Sequence, residues 1–322
     1  MSVVVLNWKG EDATKRCIAS LRVVTGIDDC EIIVVDNESS TTSRQALAAL
    51  VDVQLVPLNQ NGGFAGGMNA GIDASRGNYI ALLNNDLVVD HDWLQQGLRC
   101  LREPGVGIVG GAAFSWDGEA PPEQGGKALA MTRIDPDRGF AVLGEAPETE
   151  RPVAGVDGSN LLALAPLLRS LGGFDPDYFA YGEDVDLCAR AWALGYATVF
   201  SPMMKVWHRR GASSDRVPKS RAFWAARNQM FTVAKHFPDR FWRRTVLRLA
   251  VENLSSALLG HYGGPQAPKL RALAWDQRVG LAWSSGWAAT HSRQLRAKRE
   301  QTINTGQHDE SYVDRLRSLQ VC

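Results

Sequence analysis

The chain has 322 residues, enough for one large α/β domain with an appendage or for two domains. Its composition, 45% hydrophobic and 22% charged, is globular and excludes a fibrous or disordered chain. Net charge is zero, but residues 1–204 carry 14 Lys/Arg against 27 Asp/Glu, and residues 205–322 carry 21 against 8. Either the two halves pair with each other, or the basic end meets an anionic surface such as lipid headgroups, phosphate or nucleic acid.

Val3–Leu6 is a continuous apolar run, the type of a buried parallel strand, and it starts at once, so no signal peptide is expected. A helix is predicted over Asp12–Val23, with Ala13, Cys17, Ile18 and Leu21 inward. A strand at Glu31–Val35 ends in Asp36-Asn37. A helix over Ser43–Leu50 and a strand at Val53–Val56 follow. Residues 59–71 form a glycine-rich loop running into a short helix, and a fourth strand, Tyr79–Leu83, ends in Asn84-Asn85-Asp86. Strands alternating with helices of this length mean βαβ units and a mostly parallel sheet.

Residues 114–152 are rich in Gly, Pro and Glu with little periodicity, and are expected to form a long loop or an insertion on the acceptor side. Residues 158–165 return to buried strand character, and Ala197–Phe200 and Val206–His208 read as two short strands. Past Ser220 the chain is helical. Arg240, Arg243, Arg244 and Arg248 share one helical face and Trp242, Val246, Leu249 and Ala250 another, which is the pattern of a basic helix on a membrane surface or of a helix packed on the main body. The stretch from Gln301 is polar and is expected to be poorly ordered. The five cysteines show neither CxxC nor metal-finger spacing, which fits free thiols and a reducing, cytoplasmic compartment. No run of 18 apolar residues is present.

Two features point to chemistry. In an open parallel sheet, ligands bind beyond the C-terminal strand ends, and here those ends carry Asn7, Asp36 and Asn84-Asn85-Asp86. The glycines do not follow the first strand as a dinucleotide fingerprint requires, and the phosphate-loop pattern GxxxxGK[ST] is absent. A nucleotide-sugar or nucleotidyl site remains, with Asp86 suited to hold Mg²⁺ or Mn²⁺ against a diphosphate. The second feature is residues 175–187. Five carboxylates crowd the start of a helix behind Tyr178, Phe179 and Tyr181. Capping and the helix dipole account for Asp186 and Glu183. They do not account for Asp184, a carboxylate at an aromatic-lined edge and hence a candidate general base. His208, followed by Arg209, Arg210 and a small-residue loop, is a candidate contact to a metal or a leaving diphosphate.

The order of residues 3–7 (VVVLN), 34–37 (VVDN), 61–71 (NGGFAGGMNAG), 82–86 (LLNND), 172–187 (GGFD…YGEDVDL) and 207–211 (WHRRG) resembles the family 2 inverting glycosyltransferases, in particular their rhamnosyltransferase-like branch. The resemblance covers about residues 1–235. It implies a GT-A fold, with residues 236–322 as a basic, possible membrane-associated helical extension. It implies a nucleotide-diphosphate sugar donor, best read as dTDP-rhamnose, and a glycan or lipid-linked acceptor, with nucleic acid excluded as a partner. By it, Asn7, Asp36, Asn61, Gly63, Phe64, Asn69, Asn84, Asn85, Arg209 and Arg227 line the donor site. Asp86 and His208 hold the metal, Mg²⁺ or Mn²⁺, and Asp184 is the base with Glu183 as its neighbour. The first position of the DxD-type motif is Asn84, one carboxylate fewer than the full motif has. The competing readings are a UDP- or GDP-sugar donor, a nucleotidyltransferase and a catalytically silent binding scaffold.

Overall fold

The computed structural model describes residues 1–116, 128–139, 141–209, 218–240, 242–262 and 271–319. The first half is built as the apolar runs require. Strands β1 (Ser2–Asn7), β2 (Glu31–Asn37), β3 (Val53–Leu58) and β4 (Tyr79–Asn84) alternate with helices α1 (Glu11–Leu21), α2 (Thr41–Ala48) and α3 (Gly63–Ala74). β1 pairs in parallel with both β2 and β4, and β2 with β3. β5 (Leu87–Val89), α4 (Trp93–Leu101) and β6 (Val106–Ser115) follow. The chain then adds β7 (Ala128–Ile134), β8 (Ala141–Glu145), β9 (Arg151–Pro152), β10 (Asn160–Leu164), α5 (Ala165–Ser170), α6 (Glu183–Ala193) and β11 (Ala197–His208).

The spatial order is β3-β2-β1-β4-β10-β6-β11-β5, with β7, β8 and β9 as side branches. The sheet is mixed, because β10 runs antiparallel to both β4 and β6. That reversal matters for function. It places the start of β10 at the same rim as the C-terminal ends of β1, β2 and β4, with Asn160 opposite Leu83.

Three expectations are corrected. Residues 114–152 are not one long loop, since their described part holds the antiparallel pair β7–β8 and the short β9; residues 117–127 and 140 lie outside the described residues. The two short strands at 197–208 are one strand, β11, interrupted by a register shift between Ser201 and Lys205. The third concerns the end of the chain, which is ordered by burial. α7 (Pro218–His236), α8 (Trp242–Leu259), the short pair β12 (His261–Tyr262) and β13 (Arg271–Ala272), α9 (Trp275–Thr290), α10 (Ser292–Asn304) and α11 (Tyr312–Ser318) complete it. Tyr312, Val313 and Leu316 of α11 are buried, so the polar composition after Gln301 hides a docked helix.

The sheet is covered on both faces. One core cluster contains Val4, Leu6, Val35, Met68, Leu82 and Leu187; the other contains Val3, Val5, Ile18, Leu21, Trp93 and Leu162. A third cluster joins Tyr178, Val185 and Ala189 to Phe231, Trp242, Leu249 and Leu316. The C-terminal helices therefore share a core with the segment that carries residues 175–187. Trp242, Val246 and Leu249 point into this cluster, which is the second of the two readings of that face, a helix packed on the main body. Cys17, Cys30, Cys100 and Cys188 are free thiols, as expected, and Cys322 lies outside the described residues.

Candidate functional site

The rim formed by β1, β2 and β4 carries a buried amide network. Asn7 is fully buried. Its Nδ2 donates to Asp36 Oδ1 (3.3 Å) and Ser39 Oγ (2.9 Å), and its Oδ1 accepts from Thr14 Oγ1 (2.9 Å) and Asn85 Nδ2 (3.2 Å). Asp36 is salt-bridged to Arg44 at 2.7 Å. Arg44 also donates to the carbonyl of Leu58 and so ties α2 to the end of β3. Asn7, Asp36 and Asn85 thus meet as expected, through Thr14 and Arg44, which the sequence did not single out. In front of them lies a cavity of about 620 Å³ lined by Lys9, Gly10, Asp12, Arg16, Ser39, Ser43 and Arg209. It sets three cationic side chains and the N-terminal end of α1 against two carboxylates, Glu11 and Asp12, a net positive setting that suits an anion.

Asn37, rather than Asp36, fixes the glycine-rich segment. Its Nδ2 donates to Asn61 Oδ1 (3.0 Å) and to the carbonyl of Gly63 (2.9 Å), and its Oδ1 accepts from the Gly62 N–H (2.9 Å). Asn61 Oδ1 accepts from the Gly63 N–H at 2.8 Å. Gly63 has φ +72°, and a Cβ there would lie 2.3 Å from the carbonyl oxygen of Phe179. Two further glycines of the segment serve packing. Gly67 and Gly71, one helical turn apart, face the sheet, where a Cβ would meet Leu6 at 2.4 Å and Val4 at 2.2 Å. Asn69 is also corrected. Its carboxamide makes two 2.8 Å hydrogen bonds with the backbone of Phe174 and holds that turn, so it does not face the donor side.

Asp86 and His208 come together across β5 and β11, whose register sets His208 opposite Leu87. Asp86 Oδ1 lies 3.1 Å from His208 Nε2. The pair does not have hydrogen-bond geometry, and Asp86 Oδ1 and His208 Nδ1 are buried without a hydrogen-bond partner. Two adjacent ligands at about 2.1 Å on an octahedral ion stand about 3 Å apart, so these residues fit a shared Mg²⁺ or Mn²⁺. Among the described residues no cluster of three or more His, Cys, Asp or Glu could hold a metal. Such an ion would complete its shell with water and phosphate oxygens, as Mg²⁺ commonly does. The Arg209 N–H donates to the carbonyl of Asp86 (3.0 Å), which keeps this arginine at the same rim. Asn84 sits beside them, half-buried, and its N–H donates to the carbonyl of Ser159 at 3.1 Å. Arg210 and residues 211–214 lie outside the described residues.

Gly158 and Ser159 bridge that strand end to Asp184. Ser159 bonds Asn84, and the Gly158 N–H donates to Asp184 Oδ2 at 3.1 Å. The space at Gly158 is closed by Phe64 and Asp184, within 3.2 and 3.3 Å of a Cβ built there, so both side chains border the same glycine. The Asp184 carboxyl is pushed up to about 6, first by burial and then by the charge of Asp157, against the N–H groups of Gly158 and Val185. Glu183 is 5% exposed and is raised well above the carboxylate range by burial and by Asp184. Burial and mutual repulsion thus raise both adjacent acids above the ordinary carboxylate range. Asp157 was missed because it precedes an antiparallel strand, whose direction periodicity does not reveal.

The aromatic segment before Asp184 is held under strain. Phe179 has φ +63° and ψ −63°, a classic γ-turn closed by the Ala180 N–H donating to the carbonyl of Tyr178 at 2.8 Å. Tyr181 follows at φ +72°. Asn228 of α7 answers this strain, with Nδ2 donating to the carbonyls of Tyr178, Ala180 and Tyr181 at 2.7–2.8 Å. Arg227, expected at the donor, instead donates to the carbonyls of Asp177 (2.7 Å) and Tyr178 (2.9 Å). It belongs to the clamp because its guanidinium lies beside Asn228 Oδ1 (2.9 Å) on the loop-facing side of α7. Trp224 stacks on Phe179 with ring centroids 4.6 Å apart. Asp186, assigned to capping, is instead fully buried and salt-bridged to Arg190 (2.8 Å) and Lys235 (2.5 Å).

Comparison with known proteins gives this geometry a context. Residues 2–142 match the model of glycosyl transferase family 2, and residues 79–250 that of glycosyl transferase family group 2. The chain is 27% identical over 252 residues to the N-acetylglucosaminyl-diphospho-decaprenol L-rhamnosyltransferase of Mycobacterium tuberculosis, covering 68% of this chain and 79% of that protein. It is 27% identical over 193 residues to the pre-mycofactocin glycosyltransferase of the same organism, covering 58% of this chain and 39% of that one. The fold matches a mannosyltransferase from Pyrobaculum calidifontis in complex with GDP-Man and Mn²⁺ (TM-score 0.54, 15% identity, 99% of this chain and 86% of that one). It also matches GalNAc-T7 with UDP, GalNAc and Mn²⁺ (TM-score 0.59, 14% identity, 94% and 57%). At these identities the structural likeness is one of fold.

Proposed function

The chain belongs to the family 2 glycosyltransferases and has the GT-A fold, so it is a sugar-transferring enzyme, and we propose that it moves L-rhamnose from dTDP-rhamnose to a hydroxyl of a lipid-linked saccharide with inversion. The rhamnose reading is supported by the relative at 27% identity whose name states a rhamnosyl transfer onto a decaprenyl-diphosphate-linked sugar. The chemistry rests on one observation above the others. Asp184, with its carboxyl pushed up to about 6, stands one bridging segment away from the Asp86–His208 pair.

In this reading the nucleoside diphosphate lies in the cavity before Asn7 and Asp36, with Lys9, Arg16 and Arg209 facing its phosphates. Asp86 and His208 would hold a divalent cation, which neutralises charge on the departing diphosphate. Asp184 takes the proton of the acceptor hydroxyl as that oxygen forms its bond to the anomeric carbon. The bond from that carbon to the diphosphate oxygen breaks on the opposite face, and both electrons leave with the diphosphate. Burial and the Asp184 charge oppose ionisation of the neighbouring Glu183. Arg209 stabilises the leaving group alongside.

We read residues 1–235 as the transferase unit and 236–322 as an extension that buttresses it, a reading supported by their shared third core cluster. The cytoplasm is the proposed compartment; among the described residues no helix is long and apolar enough to cross a membrane.

The test is a thermal-shift and hydrolysis screen of dTDP-rhamnose, UDP-glucose, UDP-N-acetylglucosamine and GDP-mannose, each with and without Mg²⁺ or Mn²⁺. Stabilisation follows RT ln(1 + [L]/Kd), so a donor present at 100 times its Kd contributes about 2.7 kcal/mol. The expected result is a metal-dependent shift with dTDP-rhamnose, lost in His208→Ala. A shift with a UDP- or GDP-sugar alone would replace the donor. No shift and no hydrolysis with any donor would return the chain to a binding scaffold.

A further inference from the structure

We propose that the outward face of α8 docks the enzyme on an anionic lipid surface. This inference concerns a region away from the Asp184 rim and stands independently of the donor assignment. The face is the one opposite the apolar residues Trp242, Val246 and Leu249, which pack on the main body. Trp242, Val246 and Leu249 are buried, whereas Leu247, Val251, Leu254 and Leu258 lie on the opposite side, between 44% and 70% exposed. Their spacing of four, three and four residues makes them one stripe along the helix. Leu259 extends it at 74% exposure. A row of exposed branched side chains on one helix face is a contact surface by type rather than a scatter of single residues.

Trp275 marks one end of the stripe. Arg278 donates to the carbonyls of Ala257 and Leu258 at the end of α8, and its guanidinium lies 5.6 Å from the Trp275 ring, which is itself 71% exposed. Arginine marks the other end. Arg243 and Arg244 are exposed, one residue apart in sequence from Trp242 and Thr245, and neither has a carboxylate partner among the described residues. Arg248 lies one turn on, and with Arg244 and Arg317 it lines a cavity of about 300 Å³ that also includes Asp137. Asp137 is paired with Arg317 at 3.5 Å, which leaves a positive excess beside the apolar stripe.

Apolar side chains flanked by arginines, with an exposed tryptophan at the edge, match the layered chemistry of an anionic bilayer surface: acyl boundary, phosphate, interface. A second protein chain would not need the arginine excess. The net basic character of residues 205–322, 21 Lys/Arg against 8 Asp/Glu, points the same way.

The experiment is flotation of the full chain with vesicles of phosphatidylcholine alone or with added phosphatidylglycerol, with sedimentation velocity on the same samples. Flotation only with phosphatidylglycerol, weakened by salt, is expected. The double variant Arg243→Gln/Arg244→Gln is expected to lower partitioning by more than about tenfold, at roughly 1 kcal/mol per surface arginine. Leu247→Ser/Leu258→Ser is expected to lose flotation as well. Far-UV circular dichroism and unchanged donor hydrolysis without vesicles check that both variants fold. No flotation of the wild type would overturn the proposal, as would flotation unaffected by both variants. A concentration-dependent dimer that the serine variant abolishes, without flotation, would assign the face to a second copy.

Discussion

Asp184 is the residue on which the reaction turns, and its environment makes two separate statements. The first concerns rate. A base must be ionised to accept a proton, so kcat/KM is expected to rise through about pH 6 and level above it, and Asp184→Asn is expected to bind donor normally while losing about 10²–10⁴-fold in kcat. Near-normal turnover in that variant would move the base elsewhere. The second concerns stability. The folded carboxyl is raised above its ordinary 3.8, so between pH 4 and 6 the folded state holds a proton that the unfolded chain has released. Stability is therefore lost as pH rises through this window. Asp184→Asn should gain about 1–3 kcal/mol above pH 6 and nothing below pH 4, allowing for partial exposure of the side chain, as read by urea denaturation at both ends. A catalytic group that destabilises the fold where it works is the behaviour expected of a functional rather than a structural carboxylate.

At the scale of elements, the strained turn at Phe179 and the helix α7 form one device. A γ-turn of this hand is rare and strained, and such strain persists only where surrounding structure over-determines it. Asn228 supplies that constraint, since its two amide hydrogens serve three carbonyls within the turn. Asn228→Ala is expected to cost about 1–3 kcal/mol through carbonyls left without a donor. It should also lower kcat by up to about 10²-fold by letting the segment before Asp184 relax, while donor affinity is unchanged. A merely structural role would lower stability and leave kcat of the folded enzyme intact. Much of this was legible beforehand in part only. The motif Tyr-Gly-Glu-Asp-Val-Asp marked the segment, but nothing in its spacing showed that Arg227 and Asn228, about 50 residues on, would grip its carbonyls. Arg227 consequently read as a donor ligand. Asn69 read the same way, because a side chain's facing on a short glycine-rich helix depends on which turn packs against it.

At the scale of the whole molecule, the charge asymmetry is used at least in part within the chain. Lys235 reaches Asp175 (2.9 Å) and Asp186 (2.5 Å), and Lys298 reaches Asp175 (2.9 Å) and Asp177 (2.8 Å). Arg138 meets Glu252 at 3.0 Å. The basic C-terminal half is thereby anchored to the acidic segment around the base. Burial opposes ionisation of Asp186, but Arg190 and Lys235 hold its carboxyl well below the usual range. Removing one partner of a buried pair leaves a charge uncompensated, so Lys235→Met is expected to lose about 3 kcal/mol of stability with a lower midpoint in urea. An unchanged midpoint would show that Arg190 and His236, whose Nε2 lies 2.8 Å from Asp186 Oδ1, satisfy Asp186 without Lys235. Arg243 and Arg244 stand outside this network, on the face of α8 turned away from the core.

The sequence by itself determined the apolar strands β1 to β4, the polar residues at their ends, and the carboxylate cluster at the start of α6. These are local properties: a continuous apolar run, a strand terminus, a helix start. Only the tertiary structure decided that β10 runs antiparallel and brings Asp157 and Gly158 to Asp184, that Gly67 and Gly71 pack against the sheet, and that α8 turns Trp242 inward and Leu247 outward. Strand direction and helix rotation are fixed by contacts between residues far apart in the chain, and a periodic pattern read along the chain cannot distinguish the alternatives.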